Sequence, residues 1–326
     1  MATLDPFTGI EFAINLITLR NETLERMTQF SRIFQGSIFV GLLIGTLSAQ
    51  AEQASATPET QEQKAAEVGF TTIFNGENYD GWYIKLKEGD EALGQKVFAI
   101  DDGMIHVFDD SWPDEIDLNK GTDGTIGMIY TKKSYSRYHL KFDYKWGRKK
   151  ANYFDKWPWD AGVYYHISDD KVYPTGIEFQ IQYLPKDDRN RTGDLIKVPG
   201  QEYDWYFNPE NSQYLHPDDG GILFTKQKSY VGRSWLYNAK VTRNFNALND
   251  QWNSCEIIVM GGEYAIHKLN GEVVNMAFNL KPGEGIIGFQ SETAEILYRD
   301  IRIKEFDESV PAETFLNPRS EAKAAK

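Results

Sequence analysis

The sequence is poor in cysteine and in basic residues. It holds one cysteine, Cys255, among 326 residues, which excludes an intrachain disulfide and any metal centre built from cysteine thiolates. Cys255 falls within an apolar strand pattern, so we predict a small core residue rather than a nucleophile. There are 35 Lys and Arg against 48 Asp and Glu, a formal net charge of -13. This charge opposes nucleic acid and anionic membrane surfaces as partners and leaves neutral or cationic ligands open.

Long apolar stripes at helical spacing are also missing after residue 51. Short strands follow one another with turns at close intervals, which favours an antiparallel β-sandwich over an α/β fold. The hydrophobic content is 41% and the aromatic content 14%, enough to bury a sizeable core. We therefore predict one all-β domain over residues 70–306, followed by a C-terminal tail over 307–326.

The amino-terminal region reads as an export signal. From Met27 a short basic region and an apolar run lead to an Ala-Gln-Ala site that ends at Ala51. This is the pattern of a secretory signal peptide, and the apolar run is short for a membrane span. We expect residues 1–26 to be an upstream extension, 27–51 a signal peptide, and 52–69 a disordered linker. The mature protein is then periplasmic or extracellular, without membrane insertion; a retained membrane anchor is the alternative.

Two local patterns give strands and hairpins. Residues 138–146 alternate apolar and polar side chains, so that one face carries Tyr138, Leu140, Phe142, Tyr144 and Trp146. Asn270-Gly271 between alternating segments predicts a tight hairpin, and Asp101-Asp102-Gly103 predicts another.

The stretch from Asp160 to Gln182 is the most informative in the chain. It reads as two strands joined by a polar turn, and in the second strand Glu178, Gln180 and Gln182 alternate with apolar residues. One carboxylate and two amides spaced ~7 Å apart along a strand suit the hydroxyl groups of a sugar. The alternative is an ordinary solvated face.

A groove follows if the strands at 138–146, 161–167 and 176–183 are neighbours in one sheet. Their polar faces would then line a shallow, wet groove with Lys141, Asp143, Lys145, Tyr164, His166, Glu178, Gln180 and Gln182. Aromatic loops flank these strands, one at 152–159 and a long insertion at 184–251. We expect Trp157, Trp159 and Trp205 to stack on sugar rings; the alternative for each ring is packing of its loop onto the sandwich.

Several segments together resemble the 3-keto-disaccharide hydrolase family, also known as domain of unknown function 1080. They are FTTIFNGENYDGW, FAIDDGMIHV, GMIYTKKSYSRYHLKFDYKW, DAGVYYHIS, TGIEFQIQ, RTGDLIKV, QWNSCEIIVMGGEYAIHKLNGEVV and GEGIIGFQSETAEILYRDIRIKEF. The resemblance implies a two-sheet antiparallel jelly roll of the concanavalin A-like lectin and glucanase type, with a long aromatic-rich loop insertion.

The chain departs from the family pattern at three places. Asp160-Ala161-Gly162 stands where the family commonly has Asn-Ser-Gly. Gln182-Tyr183 stands where an acidic residue often follows the strand, and Ser291-Glu292 replaces a frequent His-Gly.

The resemblance implies cleavage of a glycoside oxidised at C3, by elimination and hydration. Such an enzyme needs a base near C2 and a group that stabilises the enolate oxygen. We expect Glu178 as the base, with His166 as the second candidate. Lys141, Lys145 or a bound divalent metal ion would stabilise the enolate, while Gln180 and Gln182 would hold hydroxyl groups.

Other readings stay open. A glucanase-type double displacement is disfavoured because amides flank Glu178 where a second carboxylate would stand. The acidic segments Asp187-Asp188 and His216-Pro217-Asp218-Asp219 match no defined metal-binding spacing, and we assign no metal site. The same fold and residues would also serve a non-catalytic, lectin-like carbohydrate-binding module. Carbohydrate is the expected partner in either case.

Overall fold

The computed structural model describes residues 68–116, 124–197, 200–224 and 236–316. The predicted extension, the signal peptide and nearly all of the linker lie outside these described residues. The described residues belong to one compact unit. None of their helices is long and apolar enough to cross a membrane.

Strands dominate the described ranges. The single α-helix found there, α1 (Glu91–Val97), begins after Asp90, whose side chain accepts a hydrogen bond from the Leu93 N–H. Three short 3-10 helices cover Pro185–Asp187, Pro217–Asp219 and Ala312–Thr314. The strands are β1 (Thr71–Thr72), β2 (Trp82–Leu86), β3 (Phe98–Asp101), β4 (Met104–Val107), β5 (Glu115–Ile116), β6 (Gly127–Thr131), β7 (Arg137–Ala151), β8 (Asp160–Ile167), β9 (Ile177–Leu184), β10 (Arg189–Asn190), β11 (Leu195–Lys197), β12 (Glu202–Asp204), β13 (Tyr206–Phe207), β14 (Ile222–Leu223), β15 (Leu236–Tyr237), β16 (Asn253–Met260), β17 (Tyr264–Leu269), β18 (Glu272–Lys281), β19 (Ile286–Ser291) and β20 (Ala294–Glu305).

The strands form two large sheets that pack face to face. The ten-stranded sheet has the order β12-β18-β17-β16-β7-β20-β4-β3, with β1 paired to β20 and β5 to β7. The eight-stranded sheet has the order β15-β11-β9-β8-β19-β6-β2, with β10 paired to β9. Strands β13 and β14 pair separately. The pairings described are antiparallel, apart from β5 with β7. The predicted antiparallel jelly-roll sandwich is confirmed.

Aromatic rings join the two sheets across the core. Phe142 of the ten-stranded sheet contacts two rings of the eight-stranded sheet, Phe179 at 5.9 Å and Phe289 at 5.3 Å between centroids, both edge to face. Such pairs add about 0.5–1.5 kcal/mol each beyond the area they bury. Cys255 is fully buried in this core, as predicted, and burial raises the pKa of its thiol well above the usual value.

The predicted neighbours of the strand at 138–146 are wrong. The strand exists and its alternation is confirmed, because the side chains from Tyr138 to Trp146 on the predicted face are buried. However, it is part of β7, which lies between β16 and β20 in the ten-stranded sheet, whereas β8 and β9 pair with each other in the eight-stranded sheet. Alternation defines the two faces of a strand but not its partners.

Both predicted hairpins form. Asn270 and Gly271 join β17 to β18 with φ of 47° and 81°, and Asp102 and Gly103 join β3 to β4 with φ of 47° and 76°. Positive φ at both central residues fits the right-handed twist of the flanking strands.

The predicted insertion at 184–251 is more than a loop. Its strands β11 and β15 extend the eight-stranded sheet next to β9, and β12 extends the ten-stranded sheet next to β18. The insertion is therefore built into both sheets, and it forms one border of the site described next.

Candidate active site

A cleft of about 160 Å³ lies on the face of the eight-stranded sheet that points away from the sandwich core. In β9, Ile177, Phe179 and Ile181 enter the core, so the intervening side chains emerge on this outer face. The cleft is lined by Trp157, Asp160, Tyr164, Tyr173, Glu178, Gln180, Gln182, Arg191, Ile196, Gln290 and Glu292.

The polar face of β9 is covered, which corrects the expectation of a shallow, wet groove. Glu178, Gln180 and Gln182 are only 4%, 7% and 1% exposed. A carboxylate at this depth loses most of its hydration, so its protonation state depends on its immediate neighbours.

Glu178 lies at the centre of this face. It stands opposite Tyr164 on β8 and Ile196 on β11 and accepts a hydrogen bond from the Tyr164 hydroxyl. Burial raises the pKa of Glu178 from 4.5 to about 8; the Tyr164 hydrogen bond acts to lower it, and the charge of Glu292 raises it further.

Gly162 gives the Glu178 carboxyl its room. A Cβ at position 162 would lie 2.5 Å from Glu178 Oε1, closer than real Cβ contacts come. The absence of a side chain on β8 therefore allows the carboxyl to lean over the neighbouring strand.

Two further carboxyl groups meet Glu178 at the cleft. Asp160 begins β8 opposite Gln182 and accepts a 2.6 Å hydrogen bond from Gln182 Nε2 at its Oδ2, whereas its buried Oδ1 has no partner in the described structure. Burial, with the charges of Glu292 and Glu178, raises the pKa of Asp160 well above its usual value. Burial also raises the pKa of Glu292 to about 7. Because three carboxyl groups share this small volume, some of them hold protons near neutral pH.

Arg191 brings one positive charge to the cluster. Its Nη1 donates to Gln182 Oε1 at 2.7 Å and its Nε donates to Asp194 Oδ2 at 2.9 Å, while Nη2 is buried without a partner in the described structure. Asp194 is itself held by the N–H of Ala239 at 2.6 Å. The guanidinium is thus fixed on two sides and keeps one donor unused.

Of the predicted catalytic pair, only Glu178 is at the cleft. Strand alternation would place His166 beside Tyr164, but His166 has a φ of 51°, which turns its side chain into the interior. There it is fully buried, packs against Tyr138 and Tyr165, and lies with Nδ1 3.1 Å from the Pro282 carbonyl. Burial lowers its pKa to about 4. The expectation that His166 faces the site is wrong.

The predicted lysines are in the other sheet. Lys141 stands opposite Glu256 on β16, with Nζ 4.9 Å from the Phe70 ring centre. Lys145 pairs with Asp250 at 2.6 Å. Both project from the ten-stranded sheet, so the expectation that they stabilise an enolate beside Glu178 is wrong.

The remaining predicted residues divide between cleft and core. Tyr164, Gln180, Gln182 and Trp157 line the cleft. Trp205 is 1% exposed, stacks on Phe207 and donates its indole N–H to Asn275 at 2.8 Å, as a core residue does. Trp159 packs on Phe154 at 4.6 Å and does not line the described cleft.

Sequence reasoning did not select Asp160, Glu292 and Arg191 as site residues. For Asp160 a signal was present, because the alternation applied to β9 also places Asp160, Gly162 and Tyr164 on one face of β8. Asp160 and Glu292 are also two of the positions at which the chain departs from the family pattern. Arg191 follows the short β10 strand, and no local pattern points from there into the cleft.

No group of three or more His, Cys, Asp or Glu side chains in the described ranges is arranged to hold a metal ion. The acidic segments noted in the sequence occur in turns. His216 accepts a 3.2 Å hydrogen bond from the Asp218 N–H at the start of the helix Pro217–Asp219, and Asp187 and Asp188 form an exposed turn after β9.

Comparisons with known proteins agree with this architecture. The model of the 3-keto-alpha-glucoside-1,2-lyase-like domain matches residues 69–304, which is most of the chain. No curated protein matches the chain significantly.

Solved structures with a similar course of the chain include three carbohydrate-related proteins. A candidate glycosyl hydrolase from Parabacteroides distasonis is 22% identical, with a TM-score of 0.44, over 76% of this chain and 97% of that one. A beta-1,3-1,4-glucanase (lichenase) from a mouse hindgut metagenome is 12% identical, with a TM-score of 0.37, over 72% and 97%. A carbohydrate-binding module from Bacillus subtilis is 12% identical, with a TM-score of 0.32, over 55% and 82%.

Proposed function

This chain belongs to the family of the 3-keto-alpha-glucoside-1,2-lyase-like domain, and from this premise we propose that it cleaves a 3-keto glycoside by elimination across C1 and C2. The family makes it a glycosyl hydrolase-like protein with a carbohydrate as its ligand. The observation that carries the proposal is the group of three carboxyls, Asp160, Glu178 and Glu292, at one small cleft beside an arginine donor without a partner.

The reaction follows from the ketone. A carbonyl at C3 acidifies the proton on C2. A carboxylate takes this proton, and the electrons of the C2–H bond form an enolate whose negative charge lies on the C3 oxygen. The enolate then restores the ketone, a double bond forms between C1 and C2, and the C1–O bond breaks. The departing oxygen takes a proton from a carboxylic acid, so the reaction balances without a cofactor. Addition of water to the new double bond completes a net hydrolysis.

Glu178 is the proposed base. A carboxylate whose pKa is raised to about 8 is a stronger base than an ordinary one, and at neutral pH a useful fraction remains ionised. The substitution of water by the buried surroundings of Glu178 supports this role, because proton transfer is most effective when the catalytic pKa is near the working pH.

Asp160 and Glu292 are the proposed acids. Burial favours their neutral forms, and one of them would protonate the leaving oxygen. The free Nη2 of Arg191 would donate to the C3 oxygen as its charge develops, and its two fixed hydrogen bonds keep it oriented. Trp157 and Tyr173 line the same cleft and offer flat faces to a sugar ring.

The test compares methyl 3-keto-α-glucoside with its unoxidised parent, using the wild type and Glu178→Gln. Glu202→Gln, at an exposed carboxylate on β12, is the matched control. We expect turnover of the keto substrate alone, a loss of about 10²-fold or more in Glu178→Gln, and no loss in Glu202→Gln. Deuterium at C2 should slow the reaction, since the C2–H bond breaks in the proposed step.

A reaction without an isotope effect at C2, or equal cleavage of the unoxidised glycoside, would contradict the elimination. If the protein binds both sugars and cleaves neither, the lectin-like binding function replaces the catalytic one.

A further inference from the structure

A second and larger cavity adjoins the carboxyl cleft. It measures about 880 Å³ and is formed by the turn after β9 together with segments of the insertion around residues 211–213 and 238–249. Arg191 and Asp194 line both spaces, so the buried Arg191 guanidinium forms part of the wall between them.

The two volumes suit different parts of one ligand. The carboxyl cleft, at about 160 Å³, is smaller than the ~300–1,000 Å³ of ordinary small-molecule sites. The adjoining cavity falls within that range. A glycoside of two or more sugar units therefore needs room beyond the cleft, and the cavity beside Arg191 offers it.

The lining of this cavity is chemically suited to a neutral, polyhydroxylated ligand. Side-chain amides predominate, supplied by Asn190, Asn211, Gln213, Asn238 and Asn249. Amides both donate and accept, as sugar hydroxyls do. Val241 and Leu248, 60% and 45% exposed, place apolar surface at the same cavity. Charges nearly cancel, because arginines 189, 191 and 243 face aspartates 187, 188 and 194.

Two polar groups at this cavity are buried without a partner in the described structure. One is Nη2 of Arg191, on a side chain of which 7% is exposed. The other is Oδ1 of Asn238, whose Nδ2 is already committed to the Ser212 carbonyl at 2.9 Å. A buried donor and a buried acceptor left open cost roughly 1–3 kcal/mol each, which a bound ligand can recover.

We propose that this cavity is the subsite for a saccharide leaving group, and that it selects 3-keto disaccharides over 3-keto glycosides with a small alcohol. The inference rests on the proposed function, which places the oxidised ring in the carboxyl cleft. Arg191 then contacts both sugar units, and Asn238 donates specificity for the second one by accepting from a hydroxyl group.

The experiment compares kcat/KM for two substrates, maltose oxidised at C3 of its non-reducing glucose and methyl 3-keto-α-glucoside. The measured quantity is the ratio of the two values, which cancels any general loss of folded enzyme. The variants are Asn238→Leu, which removes the open acceptor, and Leu248→Glu, which removes apolar surface. Leu223→Glu is the matched control, since Leu223 is similarly exposed at 37% and does not line the cavity.

We expect the disaccharide to be the better substrate of the wild type, and the ratio to fall about tenfold in Asn238→Leu. It should fall several-fold in Leu248→Glu and remain constant in Leu223→Glu. An unchanged ratio in both cavity variants would overturn the subsite while leaving the elimination intact.

If the wild type cleaves neither substrate, the proposed function fails, and binding decides the subsite separately. Calorimetric titration with unoxidised maltose and with methyl α-glucoside then gives two dissociation constants. Tighter binding of maltose that is weakened in Asn238→Leu supports a saccharide site in the cavity. Equal affinities of the wild type for the two sugars refute it.

Discussion

Glu178→Gln should abolish activity and at the same time make the protein more stable at alkaline pH. The carboxyl of Glu178 is 4% exposed, and burial raises its pKa from 4.5 to about 8. In the unfolded chain the group ionises at its ordinary pKa, whereas in the folded protein it keeps its proton over more than three further pH units. Its contribution to stability is therefore complete below pH 4.5 and is lost as the pH rises through about 8.

The magnitude follows from the two pKa values. Between pH 5 and pH 9, linkage of this single group removes about 4 kcal/mol from the free energy of unfolding of the wild type. Glutamine has nearly the same shape and carries no titrating proton, so the variant escapes this loss. The burial-raised pKa values of Asp160 and Glu292 act in the same direction and remain in both proteins.

Urea denaturation at pH 5, 7 and 9 measures the effect. The difference in unfolding free energy between Glu178→Gln and the wild type should grow in favour of the variant by about 4 kcal/mol from pH 5 to pH 9. Glu202→Gln, an exposed substitution, serves as the control and should give a constant difference. A pH-independent difference for Glu178→Gln would refute the claim that burial perturbs this carboxyl.

Three further outcomes are expected. Gly162→Ala should displace the Glu178 carboxyl and lower kcat/KM at least tenfold, yet cost no further activity in a Glu178→Gln background, because the new Cβ would lie 2.5 Å from Glu178 Oε1; kinetics of the double variant check this. Burial acts to raise the pKa of Glu295, but the His106 hydrogen bond and the backbone N–H groups of the adjoining strand outweigh it and lower the pKa to about 2. Glu295→Gln should therefore cost roughly 2–3 kcal/mol at pH 7 and progressively less as the pH falls from 4.5 towards 2, as acid denaturation curves would reveal. Mass spectrometry of protein exported from a bacterial host should find a chain that begins at Glu52; retention of the preceding residues would exclude cleavage at the predicted site.

The acidic limb of the pH–rate profile links the first prediction to the proposed chemistry. If Glu178 is the base, kcat/KM should rise with pH up to about 8, because only the ionised carboxylate accepts the C2 proton. The same burial that destabilises the folded protein at high pH thus makes the carboxylate a better base. A rate that falls over this range would assign Glu178 the role of the acid instead.

Local chemistry in the sequence was enough to predict the elements of the sandwich. The alternation of Ile177, Phe179 and Ile181 with polar residues indicates a strand with one core face, since successive side chains of a strand point to opposite sides. Asn270-Gly271 specifies a hairpin because both residues tolerate positive φ. For the same reason Glu178, Gln180 and Gln182 could be grouped on one face from the sequence alone.

Which strands became neighbours was decided by the tertiary structure. Lys141 and Lys145 share the alternation of a good sheet strand, but pairing with β16 and β20 carries them to the opposite sheet from Glu178. His166 left the cleft face because one residue with positive φ reverses the direction of its side chain. Neither the partner of a strand nor a single irregular φ is encoded in a period of two.

The carboxyl site likewise exists only in the folded chain. Asp160, Glu178 and Glu292 come from β8, β9 and the end of β19, and Arg191 comes from the insertion. By itself the sequence determined the strand faces, the hairpins and the choice of Glu178, which depend on neighbours along the chain. Only the tertiary structure decided that Glu178 is buried beside two other carboxyls and an arginine. Burial and Coulomb interactions depend on distances in space, and these set the pKa values on which the proposed reaction depends.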